Sequence, residues 1–150
     1  MNRNYPKLTF VFDGRGRINW HQTEGLIVVT REDVSKTYIE QLENNGIRYI
    51  LAGTGKHIDL SLALEKLYDI GFQKLGLSGG GSIKGVFLRQ GLIDEISLVL
   101  APLAVGGRQT PSIFDSEELE SLDGVTQLEL LNTRPIGEQG AIRLHYRVRK

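Results

Sequence analysis

Lys74-Leu75-Gly76-Leu77-Ser78-Gly79-Gly80-Gly81-Ser82-Ile83-Lys84-Gly85-Val86-Phe87 is the stretch on which the fold turns. Residues 74–77 read as a strand that runs into three glycines. Ile83, Val86 and Phe87 then recur at helical spacing, which predicts a helix over 82–90 stopped by Gly91. Strand, glycines, helix is an order that brings free backbone N–H groups and the positive end of a helix to one spot. Glycine leaves no Cβ between that backbone and a phosphate. Ser82 adds a hydroxyl that can cap the helix or bond a phosphate oxygen. Two readings fit the local residues: a pyrophosphate cradle, or a tight turn that lets helix and sheet pack closely. Two nucleotide motifs are excluded. A Rossmann fingerprint from Gly79 needs glycine where Lys84 stands, and a P-loop from Gly80 reaches Gly85 but then has Val86 and Phe87 in place of Lys and Ser or Thr.

Upstream of this turn, strand and helix patterns alternate. Leu8-Thr9-Phe10-Val11-Phe12 is a short apolar run ended by Asp13-Gly14-Arg15-Gly16, a strand and a tight loop. Leu26-Ile27-Val28-Val29-Thr30 has no polar alternation and reads as a strand buried on both faces. A helix over 33–45 follows, with Val34, Tyr38, Ile39 and Leu42 inward, Asp33 or Ser35 as cap and Asn45-Gly46 as stop. Residues 48–52 form a third strand and 59–70 a second helix. Downstream, 96–103 reads as a strand. Residues 125–131 and 142–148 read as two more, joined by a turn-rich stretch over 132–140. The first two thirds are βαβ units with parallel strands, and the last third is consecutive strands with antiparallel pairing. Together they predict a mixed, mainly parallel sheet covered by helices in one domain, 1–150.

The composition sets bounds. A chain of 150 residues buries roughly two thirds of its unfolded surface and needs no metal or disulfide staple. Eighteen basic and eighteen acidic residues leave no net field to attract nucleic acid or an anionic membrane. The absence of Cys excludes disulfides and thiolate sites and suits a reducing compartment. Residues 1–6 carry no apolar signal segment, and the most apolar stretch, 96–105, is too short to span a bilayer and contains Pro102. A cytoplasmic protein is expected.

Three further segments carry a resemblance. Leu77-Ser78-Gly79-Gly80-Gly81-Ser82-Ile83, then Gly91-Leu92-Ile93-Asp94-Glu95-Ile96-Ser97-Leu98, then Ala101-Pro102-Leu103-Ala104-Val105-Gly106-Gly107 resemble the reductase family of riboflavin biosynthesis. Arg108-Gln109-Thr110-Pro111-Ser112 and the C-terminal strand pair resemble it too. The resemblance implies a dihydrofolate-reductase-like three-layer fold and NADPH-dependent reduction of the ribosylamino group of a pyrimidine ribosyl phosphate. It implies that Gly79, Gly80, Gly81 and Ser82 contact the NADPH pyrophosphate. It places Asp13, Gly14 and Arg15 near the adenosine end, with Arg15 either a partner of the 2′-phosphate or a solvated loop arginine. Ala52 and Gly53, with Thr54, would face the cofactor or form a plain strand-end turn.

The chain departs from the family in two ways. Many bacterial members have a substrate-contacting Glu just before the glycines, where this chain has Ser78, a hydroxyl without charge. The family also begins with a further strand, helix and strand that Met1 to Lys7 cannot hold. The expectation is therefore an N-terminally truncated domain with an uncovered sheet edge. Such an edge predicts self-association, most simply a homodimer, with strands 26–30 and 96–103 gaining cover. A non-catalytic homologue or assembly module is the alternative to a working enzyme, and a start codon placed too late is a third reading.

Other groups carry less. His21, His57 and His145 have no ligand spacing, so no metal is expected. Asp94-Glu95 reads as a turn pair bonded to basic neighbours more readily than as an acid–base pair. Arg143, His145, Arg147 and Arg149 alternate onto one strand face, read as solvated.

Overall fold

The computed structural model describes residues 8–21, 23–107 and 109–150. The N-terminal stretch to Lys7 and Arg108, both part of the readings above, lie outside the described residues. The chain forms two compact units, one up to Leu75 and one from Gly76.

The first unit has a three-stranded parallel sheet in the order β1-β2-β3, with β1 at Thr9–Phe12, β2 at Leu26–Thr30 and β3 at Arg48–Leu51. Every residue of β2 is buried, as its unbroken apolar run predicts. Its alternate side chains serve two cores. Leu26 and Val28 pack with Tyr38 and Leu42 of helix α1 (Lys36–Asn44), whereas Val29 packs with Ala52 and with Ala63 of helix α2 (Leu60–Asp69). The sheet is thus sandwiched between two helices, because a strand points successive side chains to opposite faces. Ser35 caps α1, its Oγ accepting from Tyr38 N at 3.2 Å, and Asp33 instead pairs with Arg31 at 3.4 Å. Asp59 caps α2 through Leu62 N at 3.0 Å.

The second unit has helix α3 (Gly81–Arg89) and a three-stranded antiparallel sheet in the order β4-β6-β5: β4 at Glu95–Leu100, β5 at Leu128–Ile136 and β6 at Ala141–Val148. Ile96, Leu98 and Leu100 face Tyr146, Leu144 and Ile142 on one side, while Glu95, Ser97 and Val99 face Arg147, His145 and Arg143 on the other. A bulge at Leu131 keeps this sorting in β5: Leu130 pairs with Tyr146, and Asn132 then moves to the His145 side.

Parallel and antiparallel strands are both present, as expected of a mixed sheet, but in two separate sheets. Three local expectations are corrected. Residues 74–77 take no strand pairing; Gly76 interrupts the run, and Lys74 and Leu75 are exposed. The turn-rich stretch 132–140 is mostly strand, because β5 continues to Ile136. Pro135 is tolerated there on an edge strand, where one N–H need not enter the ladder. The strand expected over 96–103 stops at Leu100, before Ala101-Pro102. Strand 26–30 lies between β1 and β3, so it has no free edge, whereas β4 is an edge strand with Val99 and Leu100 more than half exposed.

Candidate functional site

In the first unit, Asp13-Gly14 and Ala52-Gly53 follow the carboxyl ends of β1 and β3, and Thr30 ends β2 with Arg31 after it. Carboxyl ends of parallel strands are where open α/β sheets bind ligands. Direct bonds tie these ends together. Ala52 N donates to Thr30 O at 2.8 Å, and Thr30 Oγ1 donates to the Asp13 carbonyl at 2.7 Å. Arg31 Nε donates to Gly14 O at 2.6 Å and its Nη1 to Gly55 O, so one guanidinium joins the loops after β1 and β3. Gly53 has φ +81°, and a Cβ there would lie 2.8 Å from Asp59 Cβ; its glycine is required by the chain itself. Ala52 is fully buried.

Asp13 turns inward. It is 6% exposed, and its Oδ2 accepts from Arg17 N and Ile18 N, each at 3.0 Å, and from the Tyr38 hydroxyl at 2.8 Å. Trp20 Nε1 donates to the same hydroxyl at 3.2 Å. Burial, the largest cause, pushes the Tyr38 phenol up to about 12; the Trp20 indole pulls the other way and Asp13 adds to the rise. Arg15, by contrast, is exposed.

In the second unit the three glycines separate by role. A Cβ at Gly81 would stand 2.6 Å from Ser112 O and 3.0 Å from Asp115 Cβ, so this glycine admits the 112–115 backbone. Gly85, one turn on, would clash with the Asp115 carbonyl. Gly79 faces Ile83 of its own turn. At Gly80, the N-cap of α3, a Cβ would meet nothing within 4 Å. No side chain caps this helix, so the N–H groups of its first turn point from an exposed end. Gly80 thus has the open face a phosphate cradle needs, whereas Gly81 answers the packing reading. Ser82 Oγ lies 3.3 Å from Asp115 Oδ2 and donates its one proton there. Ser78 is exposed ahead of the turn.

The remaining candidates pair among themselves. His145 lies 2.9 Å from Glu95, Lys150 is 2.6 Å from Asp94, and Arg143 donates to Ser97 at 2.9 Å. Among the described residues no three His, Asp or Glu side chains gather as metal ligands, and no helix is long and apolar enough to cross a membrane. Two open depressions in the second unit, about 540 and 520 Å³, are lined by none of the glycine-turn residues. Sequence reading missed Arg31, Tyr38 and Asp115. Arg31 carried a signal, a cation directly after the most buried strand; the other two emerge only from tertiary pairing.

This arrangement of elements has counterparts among solved structures. A pyrimidine reductase-like protein from Corynebacterium diphtheriae superposes on 94% of the chain, and on 60% of its own length, with a TM-score of 0.75 at 19% identity. RibD from Acinetobacter baumannii matches 94% of the chain and 37% of its own length with a TM-score of 0.71 at 20% identity. The RibD C-terminal domain profile matches residues 3–142, and the chain belongs to that family. It is 36% identical over 89 residues to the 2,5-diamino-6-ribosylamino-4(3H)-pyrimidinone 5′-phosphate reductase of Methanothermobacter thermautotrophicus, covering 59% of this chain and 41% of that protein. It is 31% identical over 113 residues to the Aquifex aeolicus protein of the same name, covering 75% and 50%. The chain thus spans half or less of the length of these curated relatives.

Proposed function

We propose that this domain binds NADPH and serves the reduction of a pyrimidine ribosyl phosphate, the substrate class named for its relatives. The observation that carries the reading is the uncapped α3 N-terminus with open space at Gly80, in a chain of the RibD C-terminal domain family. When bound, NADPH supplies the hydride, so no side chain needs to be a nucleophile. The chain's residues bind and orient. In the second unit, the N–H groups at Gly79, Gly80, Gly81 and Ser82 would take the pyrophosphate, and the Ser78 hydroxyl would meet substrate. With the Ser82 proton given to Asp115, the backbone donors carry the anion at this turn. In the first unit, Gly14 and Arg15 would take the adenosine end, with Arg15 on the 2′-phosphate, and Ala52 and Gly53 would line the cofactor. Asp13 would act from beneath its loop.

The test is calorimetric titration with NADPH and NADH. NADPH binding that exceeds NADH binding and weakens in Arg15→Ala supports the reading; no binding at millimolar NADPH sinks it. Assay of the relatives' substrate then separates an enzyme from a domain that binds without turnover. A homodimer is part of the proposal. The exposed Leu100 and Leu130 on one sheet face support it.

A further inference from the structure

Asp13 is tied into the first unit through its backbone and its carboxylate alike. Its N–H donates to Val29 O at 2.9 Å, and its carbonyl accepts from Thr30 Oγ1 at 2.7 Å and from Gly16 N at 3.3 Å. Its carboxylate holds the N–H groups of Arg17 and Ile18 and the Tyr38 hydroxyl. Gly16, at φ +60°, lies over the Tyr38 ring so closely that a Cβ would be 2.9 Å from Tyr38 Cδ1. The loop over 14–18 is therefore fixed from below by one buried acid and one buried ring, while Arg15 and Arg17 on it are exposed.

A buried carboxylate is costly unless its partners are exact in place. A plain turn at this position needs only a Ser or Asn side chain. Here the acid bonds two loop N–H groups, the Tyr38 hydroxyl from α1 donates to the acid, and Trp20 donates to that hydroxyl, all beneath a five-residue loop that carries two arginines at a parallel sheet's carboxyl edge. We infer that Asp13 and Tyr38 are a positioning pair that pre-forms the 14–18 loop as a phosphate grip, and that Arg17 joins Arg15 in gripping the cofactor's 2′-phosphate. A loop already ordered spends no binding free energy on ordering when the phosphate arrives. This inference rests on the NADPH reading, and its specific addition is that loop order and 2′-phosphate preference are one property.

Two measurements test it. Amide exchange on the ligand-free chain should show Arg17 and Ile18 protected, with protection lost about tenfold in Tyr38→Phe while Val28 of β2 keeps its own. Calorimetry should show NADPH affinity falling about tenfold in Tyr38→Phe and again in the surface variant Arg17→Ala, with NADH affinity unchanged in both. Unchanged exchange at Arg17 and Ile18 overturns the positioning role. Equal weakening of NADPH and NADH, or none, overturns the phosphate grip. Loss of Val28 protection in Tyr38→Phe marks an unfolded variant, and Arg17→Ala then decides the grip alone. A wild-type chain that binds neither dinucleotide defeats the cofactor reading and with it the grip, while the exchange experiment still judges the loop's anchoring.

Discussion

The Tyr38 hydroxyl donates to Asp13 Oδ2 at 2.8 Å across 25 residues of sequence, and so fastens helix α1 to the loop that follows the first strand. The pair has a pH signature. The folded chain keeps the Tyr38 proton up to about 12, whereas an unfolded tyrosine releases it at 10.0. Between those values the fold binds a proton that the unfolded chain has lost. The stability from this group is complete below pH 10 and is lost as pH rises through 12. Asp13 and the Trp20 indole are the groups bonded to this hydroxyl, and Tyr49, raised by its bond to Glu43, adds a fall of the same sign. The difference between wild type and Tyr38→Phe isolates Tyr38. Urea midpoints measured from pH 8 to 12 should fall more steeply above 10 in the wild type, and parallel curves would contradict the assignment.

The glycine turn yields a paired prediction. Gly81→Ala drives a Cβ to 2.6 Å from Ser112 O and should cost about 1–3 kcal/mol in urea unfolding. Gly80→Ala enters open space at φ −65°, a value any residue adopts, and should change stability by less than about 0.5 kcal/mol. If the open face of Gly80 receives a phosphate, the same substitution weakens NADPH binding. Stability and affinity therefore separate at adjacent glycines, and equal stability losses at the two positions would refute the division.

That division marks how far the sequence could be read. Periodicity located α1, α2 and α3, and the unbroken apolar run of 26–30 gave the doubly covered central strand. The three glycines looked alike in sequence because their difference lies in what approaches them: Ser112 and Asp115 come from some thirty residues away. The family resemblance implies Asp13 near the adenosine end of the cofactor and says nothing of where its carboxylate turns. Its carboxylate direction is set by Tyr38, which local spacing does not reveal. The turn-forming residues of 132–140 hid the continuation of β5 to Ile136, which the edge position of that strand allows.

Arg31 is the brace of the first unit's strand ends. Its guanidinium serves Gly14 O, Gly55 O and Asp33 at once. A lysine ammonium cannot reproduce that planar fork. Arg31→Lys should therefore lose most of what Arg31→Ala loses, about 1–3 kcal/mol in urea unfolding. Amide exchange of the residues flanking Gly14 and Gly55 should quicken in both variants. A Lys variant as stable as wild type would show that charge alone, through Asp33, is what counts.

The antiparallel sheet makes a prediction about assembly. Its apolar face is sorted by the Leu131 bulge, yet Leu100 is 56% and Leu130 52% exposed. Apolar side chains left this open on one face favour association, each removed from water contributing roughly 1.5–3 kcal/mol when fully covered. If a second copy provides the cover, Leu100→Lys with Leu130→Lys should convert a sedimenting dimer to monomer at micromolar concentration. Because both residues are already more than half exposed, the unfolding midpoint of the monomer should change little. A wild type that sediments as a monomer removes this interface, and a dimer that survives the double substitution places it elsewhere, with β1 or β3 as the next edges to charge.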